Sequence, residues 1–320
     1  LHEIAREAED LKFRVMGISR GVRTVLPQGE DRLHKNDQVF VLIEPGDYSK
    51  MASMFGKSGR TWLRVMMSRF YQVRHGLPER ALIGFDNLHR KNRAIPKLFF
   101  THDNYLKDYT GNVDTKADFY DKKVVLLVRD PRDTAVSQFF QWKYRMRPNK
   151  MAMNRYPAAG SDVSIYDFVM DPNCGVPRII DFLNLWASEL PKIKNLLMVR
   201  YEDMRAEPEQ QLERIVEFLG MQPDEKFIKD TVEFASVDNL RKLEKENYFW
   251  RSGSRVKARD PSNPNSYKVR RAKVGGYRDY FEDQEIEAIE DLMEQSLSPY
   301  FGYGRQSTPA SSDAKKPLSA

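Results

Sequence analysis

Apolar positions change their spacing near residue 56. Before it they come in short runs broken by turn residues. Phe13–Ser19 and Arg23–Leu26 read as short strands, and Gln38–Ile43 (QVFVLI) as a buried strand. Gly21, Pro27, Gly29 and Asn36-Asp37 mark the turns between them, and Leu1–Asp10 reads as the end of a helix. After Pro45-Gly46, the segment Asp47–Phe55 suits a short helix with Asp47 as N-cap and Gly56 as its stop. From Lys57 onward helical and strand periods alternate. Ser58–Tyr71, Asp133–Arg145, Pro208–Leu219 and Asp283–Ser298 read as helices, and Lys97–Thr101 and Leu196–Arg200 as strands. Lys123–Val128 (KVVLLV) is a continuous apolar run of the kind buried in parallel sheets.

This alternation predicts an α/β domain, a mostly parallel sheet with helices on both faces, behind a small β-rich α+β module. The expected boundaries are 1–55 for the module, 56–304 for the α/β domain and 305–320 for a tail. Gly253–Tyr267, rich in Ser, Asn, Pro and Arg, reads as a mobile loop, and Gln306–Ala320 as disordered.

With 320 residues, 41% of them hydrophobic, the chain can bury one large core or two smaller ones. No run approaches the roughly 18–20 apolar residues of a membrane span, and no secretory signal is visible, so the cytoplasm is the expected compartment. The single cysteine, Cys174, excludes a disulfide framework and a Cys-based zinc site. A net charge of +6, from 52 Lys and Arg against 46 Asp and Glu, suits an anionic ligand without demanding nucleic acid. The chain starts at Leu1 rather than Met, which leaves room for a longer parent.

The candidate chemistry begins at Gly56-Lys57-Ser58-Gly59-Arg60-Thr61-Trp62, which opens a helix. Small residues and a Lys at a helix start expose backbone N–H groups and the positive dipole end to a phosphate-like anion. A Walker P-loop would want Gly at position 51, where this chain has Met51, so that motif is half present. A second segment, Val128-Arg129-Asp130-Pro131-Arg132-Asp133, follows the most apolar strand. Arg129 therefore emerges at the carboxyl edge where open α/β sheets bind ligands, with Ser137 on the helix behind it.

Together these segments resemble the cytosolic-type sulfotransferase family, which transfers a sulfuryl group from 3′-phosphoadenosine 5′-phosphosulfate (PAPS). The resemblance runs from about Gly56 to Tyr303. The family loop Pro-Lys-Ser-Gly-Thr-Thr-Trp appears here as Gly56-Lys57-Ser58-Gly59-Arg60-Thr61-Trp62. It implies that Lys57, Ser58, Gly59, Arg60 and Thr61 hold the 5′-phosphosulfate and that Trp62 lies against the adenine. It also implies Arg129 and Ser137 at the 3′-phosphate and Tyr201, from Tyr201-Glu202-Asp203-Met204, at the adenine. Arg270-Arg271-Ala272-Lys273-Val274-Gly275-Gly276-Tyr277 is similar to the family's Arg-Lys-Gly-x-x-Gly-Asp-Trp, a 3′-phosphate clamp. Here Arg271 replaces Lys, Ala272 replaces Gly and Gly276-Tyr277 replaces Asp-Trp. Phe100-Thr101-His102 resembles the family's Lys-Thr-His, which implies His102 as general base. A neutral imidazole can take a hydroxyl proton near working pH, and Lys57 would neutralise the leaving phosphate oxygen. The scheme requires no metal.

Earlier in the chain, ISRGVRTVLPQGEDRLHKNDQVFVLIEPGDYSKMASMFGK resembles the C-terminal regulatory domain of potassium-conductance (RCK) proteins. Such modules end potassium-uptake regulators and occur inside some anion transporters. The two patterns meet within Phe55–Gly59, where a sulfotransferase places its loop directly after a buried strand. Three arrangements stay open. Met51–Phe55 serves as a short central strand, Gln38–Ile43 takes that place with an insertion, or the sheet lacks the strand.

Each singled-out residue also has a structural reading. His102 could be a hydrogen-bonded strand-end histidine, and Tyr201 a core residue. Glu202 and Asp203 suit a turn or cap better than a catalytic pair. His2, His34, His75 and His89 have no motif context. Phe139, Phe140 and Trp142 read as core or acceptor-pocket wall, and the basic run Arg251–Arg271 as a solvated loop apart from Arg270 and Arg271. The reading is a PAPS-dependent sulfotransferase acting on a small-molecule or carbohydrate hydroxyl acceptor. It involves no nucleic acid, touches a membrane only through a transporter part preceding Leu1, and is compatible with a homodimer. The alternatives are a non-catalytic nucleotide- or anion-sensing cytoplasmic module of a transporter or regulator, and a P-loop kinase.

Overall fold

The computed structural model describes residues 13–20, 23–25, 38–43, 49–53, 58–102, 112–250, 252 and 256–304. The chain divides into two compact units, Leu1–Tyr48 and Ser49–Ala320. In the first, β1 (Phe13–Arg20) lies between β2 (Arg23–Val25) and β3 (Gln38–Ile43) in an antiparallel sheet. The β1–β3 register runs from Phe13 opposite Ile43 to Ser19 opposite Gln38 and shifts between Val15 and Gly17, the signature of a bulge. The helix expected over Leu1–Asp10 and the tail Gln306–Ala320 lie outside the described residues.

The second unit is built on a parallel sheet of order β5-β4-β6-β7, from β4 (Ser49–Ser53), β5 (Leu98–Thr101), β6 (Lys123–Val128) and β7 (Asn195–Arg200). β4 is interior: Met51 pairs with Phe100 on one side and Val125 on the other. This corrects the helix expected over Asp47–Phe55. Of the three arrangements left open, the short central strand forms, two residues earlier than expected, while Gln38–Ile43 pairs with β1 instead. The physical reason is local weakness against tertiary gain. A nine-residue helix is marginal on its own, whereas a strand between two partners satisfies its N–H and C=O groups on both edges.

Helix α1 (Arg60–His75) follows β4, α2 (Pro131–Arg145) follows β6, and α3 (Pro148–Met153), α4 (Ile165–Met170) and α5 (Val176–Glu189) lead to β7. After β7 come α6 (Tyr201–Ala206), α7 (Pro208–Phe218), α8 (Glu225–Phe234), α9 (Val237–Lys245) and α10 (Asp283–Ser296). β6 shows why the apolar run is continuous. Val125 and Leu127 pack with Leu63, Met66 and Phe70 of α1 and with Leu212 and Ile215 of α7. Val124, Leu126 and Val128 point the other way, into Val136 of α2, Leu183 and Trp186 of α5 and Ile289 of α10. Both faces of the strand are buried, each large side chain contributing about 1.5–3 kcal/mol. A third cluster takes Phe139, Trp142, Phe168 and Cys174, so Phe139 and Trp142 are core. Among the described residues no helix is long and apolar enough to cross a membrane.

The strand order fixes where a ligand can sit. From β4 the chain crosses to β5 on one side, and β6 then adds on the other side of β4. The carboxyl ends of β4 and β6 thus flank a topological switch point, where open α/β sheets leave a crevice.

Candidate active site

An open cleft of about 970 Å3, mouth included, lies at these strand ends. The start of α1 supplies one wall. Gly59 caps α1 with φ 93°, a left-handed conformation, and a Cβ there would stand 2.6 Å from Cδ2 of Tyr201. Glycine is required twice over, for φ and for space. No acidic residue occupies the first turn of α1, so its positive dipole end is not offset by its own side chains. Gly59, Arg60, Thr61 and Trp62 line the cleft, whereas Ser58 is fully buried and outside the lining. Lys57 lies outside the described residues.

The end of β6 supplies the next wall. Pro131 opens α2, and Asp130 caps it by accepting the Arg132 N–H at 2.8 Å. The charges of this segment divide by direction. Arg132 turns inward to Asp130 (2.7 Å) and lies over the Tyr277 ring at 4.9 Å. Arg129, Asp133 and, one turn on, Ser137 line the cleft. Arg129 Nη2 lies 3.6 Å from Asp133 Oδ2, and its guanidinium covers the Tyr201 ring at 4.3 Å. Tyr201 begins α6 at the end of β7 and is buried, which raises the pKa of its phenol. Its ring meets Trp62 edge-on at 5.9 Å, and Trp62 Nε1 donates to the Ala235 carbonyl at 2.8 Å. The Trp62 ring is thereby fixed as one side of a slot floored by Val237 and Leu240.

The segment 268–277 closes the cleft and is tied at both ends by buried carboxylates. Glu244 of α9 accepts the N–H groups of Lys268 and Val269, the latter at 3.0 Å. Asp133 accepts those of Gly275 and Tyr277, each at 2.9 Å. Between the ties, Arg270 stacks on Phe140 at 3.7 Å, while Arg271 and Lys273 share Asp279 at 2.5 and 2.8 Å. Ala272 takes φ 54°, so the chain keeps here the left-handed turn for which glycine is suited, at a cost of roughly 1–2 kcal/mol.

Nine of the residues predicted to bind the cofactor therefore meet in one cleft: Gly59, Arg60, Thr61, Trp62, Arg129, Ser137, Tyr201, Arg270 and Arg271. His102, one residue past β5, is half-buried and is not among the lining residues. Arg60, which lines the cleft, donates through Nη1 to the carbonyl of Phe100, two residues earlier, at 3.3 Å. Sequence reasoning missed Asp133, Arg205, Lys268 and Lys273, which also line the cleft. Helical spacing could have found Arg205, four residues after Tyr201, whose guanidinium lies over the Trp62 ring at 5.6 Å. Lys268 belongs to the basic run read as solvated. Its ammonium is pushed down to about 8 by burial, with Arg145 and Arg60 acting in the same direction. Asp133 is the sole carboxylate among the described lining residues, against seven cations. Such a site is built for a strongly anionic ligand.

Comparison with known proteins agrees with this class. A family model described as a sulfotransferase domain matches residues 54–301, and one described as a TrkA-C domain matches residues 3–56. The chain belongs to the sulfotransferase family and is an enzyme of that class. Cytosolic sulfotransferase 3 of Arabidopsis thaliana is 25% identical over 273 residues, covering 81% of this chain and 79% of the relative. Flavonol 3-sulfotransferase of Flaveria bidentis is 25% identical over 181 residues, 55% and 54% of the two chains. The fold is shared with a mouse sulfotransferase complexed with PAP, at a TM-score of 0.52 and 20% identity, over 79% of this chain and 85% of that one. A retinol dehydratase in complex with androsterone and the inactive cofactor PAP gives a TM-score of 0.50 at 17% identity, over 82% of each chain.

Proposed function

We propose that this sulfotransferase takes its sulfuryl group from PAPS and passes it to a hydroxyl of a small-molecule or carbohydrate acceptor, with His102 as general base. The observation that carries the reading is the convergence of the strand-end loops and segment 268–273 on one cationic cleft beside the Trp62 ring. In this reading the 3′-phosphate lies against Arg129, Ser137, Arg270 and Arg271, and the adenine against Trp62 and Tyr201. The 5′-phosphosulfate meets the N-terminal end of α1, with Lys57, Ser58 and Thr61. The acceptor oxygen forms its bond to sulfur as its proton passes to His102. The bond from sulfur to the bridging oxygen breaks, and its electron pair leaves with the 5′-phosphate of 3′-phosphoadenosine 5′-phosphate (PAP). Lys57 neutralises that leaving oxygen. The names of the relatives support a small-molecule acceptor and a cytosolic location.

Separate substitutions test these roles. Lys57→Ala and Arg129→Ala are each expected to weaken PAP binding by about 10–100-fold, as befits a lost charge-assisted contact. His102→Ala is expected to leave PAP affinity unchanged and lower turnover by about 10²–10⁴-fold. Equal loss of PAP affinity in all three variants overturns the assignment.

Lys268 gives a pH-linked prediction. With a folded pKa of about 8 against an ordinary value of 10.5, its neutral form is favoured by the fold. That contribution to stability is present above the ordinary value and is lost as pH falls through about 8. A bound polyanion reverses the bias. At pH 8, PAP binding should take up about half a proton, read by calorimetry in buffers of different ionisation enthalpy. Lys268→Met should abolish the uptake, and an unchanged uptake in that variant rules Lys268 out.

A further inference from the structure

Two neighbouring residues at the end of β7 bear on two neighbouring residues at the end of β6. Tyr201 lies beneath the Arg129 guanidinium at 4.3 Å, and Glu202 accepts the Asp130 N–H at 3.0 Å through Oε1. The other oxygen, Oε2, accepts the Tyr303 hydroxyl at 2.8 Å and stands 4.0 Å from Arg200 Nε. Tyr303 is itself held. It is buried, its ring lies under the Arg200 guanidinium at 4.6 Å, and its carbonyl accepts from Arg132 Nη2 at 3.4 Å. The Glu202 carboxylate therefore joins the starts of α2 and α6 to Tyr303. Burial pushes its pKa up, while the Asp130 N–H and the Tyr303 hydroxyl oppose that rise. The turn or cap expected of Glu202 from the sequence is thus a tie between separate parts of the chain.

Glu202 is not among the residues lining the cleft, so it can act on a ligand only through what it holds. What it holds is the backbone one residue beyond Arg129. The far end of the Arg129 side chain has its own contacts, Asp133 Oδ2 at 3.6 Å and the Lys273 carbonyl at 3.5 Å from Nη2. Both are long for hydrogen bonds and leave the guanidinium to follow its root. A guanidinium grips a phosphate through two parallel N–H bonds, whose geometry fails when the fork tilts. The 3.0 Å bond at Asp130 sets where that side chain starts. Without it, a part-buried N–H loses this acceptor and the turn between β6 and α2 is drawn toward water.

We propose that Glu202 is a positioning residue for the donor nucleotide, holding the β6–α2 turn so that Arg129 meets the 3′-phosphate, with Tyr303 bracing its carboxylate from the other side. The inference rests on the PAPS reading given above. Glu202 forms no bond to the nucleotide and moves no proton in the transfer. Its effect is on nucleotide affinity, and it passes through one guanidinium.

A double-mutant cycle tests this directly. Glu202→Met fills the space of the side chain and accepts no N–H. The expected result is a loss of about tenfold in PAP affinity by calorimetry in the wild-type background, and a loss within about twofold in the Arg129→Ala background. Glu202→Gln retains an amide oxygen for the Asp130 N–H and should restore PAP affinity to within about threefold of wild type. Tyr303→Phe, which removes only the hydroxyl, reads the same coupling should Glu202→Met fail to fold: a loss of about threefold that vanishes without Arg129. Equal losses in both backgrounds would make Glu202 a general structural tie and overturn the proposal. So would unchanged PAP affinity in Glu202→Met, or a Glu202→Gln variant as weak as Glu202→Met. A wild-type chain that does not bind PAP defeats the PAPS reading itself, a different outcome from these.

Discussion

Gly59→Ala is expected to weaken nucleotide binding by about 100-fold while leaving the fold in place. The added methyl meets two obstacles at once. The residue sits at φ 93°, which costs an L-amino acid roughly 1–2 kcal/mol. The new Cβ also stands 2.6 Å from Cδ2 and 3.1 Å from Cε2 of Tyr201. The ring cannot give way cheaply, because Tyr201 is buried beneath the Arg129 guanidinium and meets Trp62 edge-on. Moving it displaces the aromatic slot and the Arg129 grip together. PAP affinity should fall on the order of 100-fold, equivalent to about 2.7 kcal/mol. A scan of melting temperature should show a drop of only several degrees. Unchanged PAP affinity in this variant would mean that Tyr201 does not stand against the loop when ligand is bound.

Asp133→Ala should damage both stability and binding. The carboxylate is buried, accepts the N–H groups of Gly275 and Tyr277, and faces Arg129. Burial raises its pKa, and the nearby Asp130 adds to this, while Arg129 and the two N–H groups oppose. Removing it leaves one buried and one half-buried donor without this acceptor and takes the carboxylate from beside a buried cation, a loss of roughly 3–5 kcal/mol. For a domain of this size that is about 10 °C in melting temperature. Because the same bonds anchor the end of segment 268–277, PAP affinity should fall with it. Asp133→Asn keeps one acceptor oxygen and should lose less on both counts. A melting temperature unchanged in Asp133→Ala would show that the tie does not hold the segment.

Much of this architecture is legible in the sequence because its signals are local and strong. KVVLLV reads as a strand buried on both faces, which puts Arg129 at the ligand edge of the sheet. The motif at Gly56–Trp62 placed a helix start within two residues of its position. β4 was not legible. Ser49-Lys-Met-Ala-Ser53 contains no β-branched or aromatic residue, and its strand state is imposed by β5 and β6 on either side, a tertiary effect that propensity does not carry. Asp133 and Glu244 were missed for a related reason. Each acts by accepting backbone N–H groups from residues 142–144 and 24–25 positions away, respectively, a pairing that spacing along the chain does not reveal. Lys268 looked like any solvated lysine until the fold placed it among Arg60, Arg145 and Lys150.

The junction between the two sequence patterns bears directly on function. The sulfotransferase match begins at residue 54 and the TrkA-C match ends at residue 56, so they overlap where the ligand loop begins. β4 reconciles them. It provides the interior strand that the loop needs, drawn from residues that also continue the N-terminal pattern.

The most direct test of the central claim is calorimetric titration of the whole chain with PAP in metal-free buffer, with ATP as the control nucleotide. The account predicts roughly micromolar PAP binding and little affinity for ATP. Absence of PAP binding, or ATP binding of equal strength, would contradict it.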